Sequence, residues 1–79
     1  MVTDRDVQEM VAAILEVQVA DVRSDTSFYA DLEMDSLRKA EFIVRLERAC
    51  GAEFAPAEAA KIDSVHDVMR LLRDRNLIS

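Results

Sequence analysis

Apolar residues return at helical spacing in three stretches of the chain. Val7, Met10, Val11 and Ile14 recur three or four positions apart. They stripe one face of a first helix running roughly from Asp4 to Glu16. Thr3 stands where an N-cap belongs, and Asp4 and Asp6 lie at the positive end of that helix dipole. A second helix is predicted from Ser36 to Cys50. The cap-type residues Asp35 and Ser36 mark its start, and Gly51 suits the left-handed turn that ends it. Pro56 opens a short helix through about Lys61. Val65, Val68, Met69 and Leu72 stripe a last helix over roughly Ser64 to Asn76, with Ser64 or Asp63 as its cap.

From about Gln18 to Asp35 the period fails. Asp21, Ser24, Asp25, Ser27 and Asp31 are turn or cap formers. Phe28 and Leu32 interrupt them, so the stretch reads as a long ordered loop pinned to the core by those two side chains. Loops longer than about 12–15 residues are uncommon in compact domains and are often functional. The predicted fold class is all-α. It is a small four-helix bundle, with three main helices, one short helix and a long first loop, forming a single domain over residues 1–79.

The second helix has two apolar faces when its residues are placed on a wheel. Phe42, Ile43, Leu46 and Ala49 form the face expected in the core. Leu37, Ala40 and Val44 lie nearly opposite, flanked by Glu41, Glu47 and Arg48. An apolar strip rimmed with charge on the outward side of a helix has the outline of a docking surface. A few exposed aliphatic residues are also ordinary, so the strip alone leaves both readings open.

Charge narrows the partners. The formal net charge is -6, which repels phosphate backbones, and only four aromatic residues are available to stack on bases. Nucleic acid is excluded as a partner. The acidity sits early: residues 1–35 carry nine acids and two bases, whereas residues 36–50 carry two acids and four bases. The second helix is itself slightly basic, through Arg38, Lys39, Arg45 and Arg48. One cysteine, Cys50, cannot form an internal disulfide and fits a reducing compartment. No apolar run approaches membrane-spanning length, and the first residues do not read as a secretory signal. A cytoplasmic monomer that meets no membrane is expected.

The run Asp31-Leu32-Glu33-Met34-Asp35-Ser36-Leu37 stands where the long loop meets the second helix. Asp-Ser-Leu at such a junction, followed by Ala40-Glu41-Phe42, resembles the modification motif of acyl carrier proteins. The resemblance covers the whole chain: its length, the helix order, the Phe28 and Leu32 anchors, and the passage from Lys61-Ile62 to Val65. It implies that a separate phosphopantetheinyl transferase moves 4'-phosphopantetheine from coenzyme A onto Ser36, with Asp35 in support. The arm then carries acyl groups as thioesters. An acyltransferase or ligase, a ketosynthase or other acyl-processing enzymes act on them in polyketide, specialised extender-unit or fatty-acid biosynthesis. Leu37, Ala40, Glu41 and Val44 map onto the family's partner-contact strip. The basic residues Arg38, Arg45 and Arg48 share the helix and bear on which partners dock. The protein itself is then a carrier with no catalytic residue and no resident metal. Taken alone, Ser36 would be a plain helix cap; the surrounding pattern reverses that reading.

Two departures from the family stand out. Many such carriers have glycine two residues after the aspartate equivalent to Asp31, and here that residue is Glu33. If the loop required positive φ, glutamate would be strained, so a slightly different backbone is expected. Dedicated fatty-acid carriers also have a strongly acidic second helix. The basic one here points to other partners and a specialised pathway.

Other constellations fall away. Asp31, Glu33 and Asp35 alternate like the start of a calcium loop, but the positions that need glycine and glutamate hold Ser36 and Phe42. A serine hydrolase would need a general base, and the only histidine, His66, lies on the last helix. One cysteine with one histidine is no zinc site. Two alternatives remain. One is a peptidyl or aminoacyl carrier, whose motif more often reads Gly-Gly-Asp-Ser. The other is an unmodified helical adaptor that binds through Leu37 and Val44.

Overall fold

The computed structural model describes residues 1–78. Four helices follow one another: α1 (Asp4–Leu15), α2 (Ser36–Cys50), α3 (Pro56–Ala60) and α4 (Val65–Asp74). A single 3-10 turn, Val19–Asp21, breaks the first loop, a feature that the failing period of that stretch did not announce. No strand occurs among the described residues.

Each main helix begins where a side chain satisfies its orphan amides. Thr3 Oγ1 accepts from the Asp6 amide at 3.2 Å, and Asp6 Oδ2 accepts from the Thr3 amide at 2.9 Å. That reciprocal pair is a capping box. The Thr3 amide and hydroxyl hold the Asp6 carboxyl below its ordinary value. Ser64 caps α4 through the Asp67 amide at 3.1 Å, which settles the choice between Ser64 and Asp63. α2 ends at Gly51, where φ is +67°. α1 ends at Glu16 in the same left-handed region, with φ at +57° and no glycine to ease it.

The core fills the space between α1, α2 and α4. Val7, Val11, Val22, Phe28, Phe42, Leu46, Ile62, Val65, Val68 and Leu72 are almost wholly removed from water. Burying a side chain of this size contributes roughly 1.5–3 kcal/mol. Phe28 from the loop meets Phe42 of α2 edge to face, with ring centroids 5.7 Å apart. α1 packs on both α2 and α4.

Two expectations need correction. Ala49 is exposed, so the core face of α2 is Lys39, Phe42 and Leu46 with Ile43 half-buried. Ala49 lies toward the edge of that face, at an angle where a side chain this short does not reach the core. Phe28 and Leu32 both pack on the core as expected, Leu32 half-buried, and Val22 and Met34 join them as further buried anchors of the loop. The loop also keeps the left-handed turn at Glu33, where φ is +56°. Glutamate tolerates that conformation here in place of glycine, and the backbone has not been rerouted around it.

Short α3 is tied down mainly by polar contacts. Glu58 accepts from the Ala55 amide at 2.8 Å and from Arg75 at 3.0 Å. The Ala55 amide first, and the Arg75 guanidinium after it, hold the Glu58 carboxyl below its ordinary value.

Candidate functional site

The long loop delivers the chain to the start of α2, and a polar clamp fixes its path. Asp63, in the turn between α3 and α4, is the centre of that clamp. Its Oδ2 accepts from the Ser27 hydroxyl at 2.6 Å, and its Oδ1 accepts from the Tyr29 amide at 3.0 Å. Its carbonyl accepts from the Phe28 amide at 2.8 Å. Asp31 Oδ2 accepts from the Ser27 amide at 2.8 Å, which closes the turn on itself. The Met34 amide donates to the Phe28 carbonyl at 2.9 Å. Asp35 and Ser36 then emerge at a fixed place.

Asp35 is the N-cap of α2. Its Oδ1 accepts from the Arg38 amide at 2.8 Å. Ser36 is the first helical residue and is exposed. The cap duty therefore falls on Asp35, and the Ser36 hydroxyl faces solvent at the positive end of a helix of 15 residues. An anion attached there meets the helix dipole and the amides that the cap leaves over. An exposed hydroxyl in that field fits a phosphodiester link.

Of the three alternating acids, Asp31 and Asp35 are engaged with backbone amides. Glu33 is exposed between them. His66 is exposed in the first turn of α4, where its backbone amide donates to the Ser24 carbonyl at 3.0 Å. Cys50 is half-buried at the end of α2, and burial pushes its thiol pKa up, which leaves it a poor nucleophile.

The outward face of α2 carries Leu37 at 75% exposure and Val44 at 45%. Ala40, Glu41, Arg45 and Arg48 are exposed around them. Arg45 and Glu41 pair loosely at 3.8 Å. The other two bases of the helix are drawn inward. Arg38 is half-buried, and its Nη1 donates to the Ile14 carbonyl at 2.7 Å, across to the end of α1. Lys39 is buried, and its Nζ donates to the Ile62 carbonyl at 2.6 Å. Glu47 is half-buried and accepts from the Phe54 amide at 2.8 Å. Glu41, Arg45 and Arg48 are left to present charge outward, so the face is only slightly basic and rests on two of the four bases of the helix.

Comparison with known proteins gives this geometry a family. Residues 5–72 match the family model described as a phosphopantetheine attachment site. The chain belongs to the phosphopantetheine-binding acyl carrier proteins. It is 40% identical over 68 residues to polyketide-8 synthase acyl carrier protein 2 of Streptomyces avermitilis, covering 86% of this chain and 78% of that one. It is 38% identical over 72 residues to the acyl carrier protein of Helicobacter pylori strain G27, covering 91% and 92%. A solved Mycobacterium tuberculosis chain, provisionally assigned as an acyl carrier protein, superposes with a TM-score of 0.81 at 21% identity. It covers 91% of this carrier and 96% of that chain, and shows the shared fold. The family's cofactor is covalent 4'-phosphopantetheine, which bears acyl groups, and its members are non-catalytic carriers.

Two residues that organise the site were not singled out from the sequence. Lys39 falls within about 20° of Leu46 on the helical wheel, so its place on the core face was there to be read. Asp63 offered no comparable signal, because its partners Ser27 and Tyr29 lie more than thirty positions away.

Proposed function

We propose that Ser36 is the residue that carries the 4'-phosphopantetheine arm, placed there by a phosphopantetheinyl transferase. The observation that carries this reading is the division between neighbours at the start of α2. Asp35 caps the helix and leaves the Ser36 hydroxyl exposed. The arm, when bound, supplies a terminal thiol that holds the acyl group as a thioester. The chain's own contribution is positional. The Asp63 clamp fixes the loop, Asp35 fixes the helix end, and the dipole of α2 favours the phosphate. A flexible tether then raises the effective concentration of cargo at each partner's active site.

The outward strip of Leu37, Ala40, Glu41 and Val44, with Arg45 and Arg48 beside it, is the surface on which the transferase and acyl-processing enzymes dock. Arg38 acts at its margin, since its guanidinium is committed to the end of α1. A specialised polyketide-type pathway fits the nearly balanced charge of this strip better than a partner set that reads a strongly acidic helix. The whole chain works as one carrier domain, as a monomer in the cytoplasm.

The test is an intact mass. The protein is incubated with coenzyme A, magnesium and a promiscuous phosphopantetheinyl transferase. The expected result is a gain of one phosphopantetheinyl group, absent in Ser36→Ala. No gain while control carriers are modified in the same mixture overturns the reading and leaves the adaptor alternative.

A further inference from the structure

Lys39 is the one charged side chain buried among the described residues, at 8% exposure. Its ammonium donates to the Ile62 carbonyl at 2.6 Å and stands 4.9 Å from the centre of the Tyr29 ring. It lies one helical turn beyond Ser36, on the same side of α2 as Leu46 and Phe42. The bond therefore joins the first turn of α2 to the turn that precedes α4. An apolar side chain of similar volume would fill the position but would leave the Ile62 carbonyl without this donor.

The attached cargo gives the cation a role. An aliphatic chain on an arm at Ser36 exposes apolar surface to water and gains by entering the carrier's interior. Phe28 and Phe42 pack edge to face in the core, and the seam between the first turn of α2 and the turn at the buried Ile62 is crossed by the Lys39 bond. A chain that enters along this seam must break the bond from Lys39 to Ile62. It would leave the ammonium buried against hydrocarbon with its acceptor gone, which is far costlier than losing an apolar contact.

We propose that Lys39 is a specificity-determining residue that bars aliphatic cargo from the interior of the bundle. The carrier then holds its acyl group on the outside, and the cargo class it suits is a short or polar acyl group. The inference rests on the reading of Ser36 given above.

The test uses acetyl and octanoyl arms, loaded from the corresponding acyl-coenzyme A thioesters and verified by intact mass. Each loaded protein is exposed to hydroxylamine. Its cleavage rate is divided by that of the same acyl group on free pantetheine. On wild type the two normalised rates are expected to agree within about twofold. In Lys39→Met the octanoyl thioester is expected to be shielded at least about fivefold while the acetyl thioester is unchanged, the burial of several methylenes being ample for that. Lys39→Ala, which keeps helix propensity, is carried alongside, and melting of the unacylated variants identifies those that fold. An octanoyl thioester shielded fivefold or more on wild type overturns the barrier. So does a folded Lys39 variant that shields it no better than wild type does. A protein that gains no arm at all overturns the Ser36 reading instead, and this inference with it.

Discussion

α4 buries Val65, Val68, Met69 and Leu72 along one stripe, and α1 does the same with Val7, Val11, Ala12 and Ile14. The first loop, longer than either helix, buries Val22, Thr26, Phe28 and Met34 without a period. It is held by hydrogen bonds whose partners lie in distant parts of the chain. Gln8 of α1 donates to the Val22 carbonyl at 2.7 Å. Asp63 takes the Ser27 hydroxyl and the Tyr29 amide. The His66 amide reaches the Ser24 carbonyl. The helices are stabilised by area removed from water, which is tolerant of detail. The loop is stabilised by directed bonds, each of which fails if one atom is missing.

That contrast can be broken first in the core. Phe42→Ala removes a wholly buried ring and its edge-to-face partner at Phe28. It is expected to cost about 3–5 kcal/mol, read as a large fall in the urea midpoint, with every helix lost together. Asp63→Ala tests the loop. Two donors lose their acceptor, and the expected cost is about 2 kcal/mol. The signature is local: hydrogen exchange at the Tyr29 amide should quicken far more than at amides in the middle of α1. Equal quickening at both would show that loop and core unfold as one unit, and would dissolve the distinction. Glu33→Gly is the finest probe. It relieves a left-handed glutamate at φ +56° but loosens the unfolded chain, so a gain of no more than about 0.5 kcal/mol is expected in the same melt.

The same contrast explains what the sequence let one read. Periodicity marks a face, so α1, α2 and α4 could be placed within a residue or two from Val7, Phe42 or Val68 and their neighbours. Capping chemistry is local as well, and Thr3 and Gly51 act where their types predict. The wheel places Lys39 on the core face, but what its ammonium does there could not be read without its acceptor. That acceptor is a backbone carbonyl 23 positions away. Asp63 looked like one more cap-type residue, and only the folded chain brings Ser27 and Tyr29 to it. For the candidate site, the Asp35-Ser36-Leu37 junction and the outward strip were both readable. Which of the two cap-type residues does the capping was not, since either side chain suits the position. The charge that the outward face presents was not readable either. Arg38 and Lys39 count as bases in composition, yet both point their cationic ends at carbonyls of other elements.

The capping of α2 by Asp35 separates two selective pressures that a serine cap would have fused. A change at Asp35 is paid in helix stability, and a change at Ser36 falls on whatever chemistry its hydroxyl supports. Losing the Asp35 cap would also loosen the placement of Ser36, whereas Ser36 can change with the cap left in place.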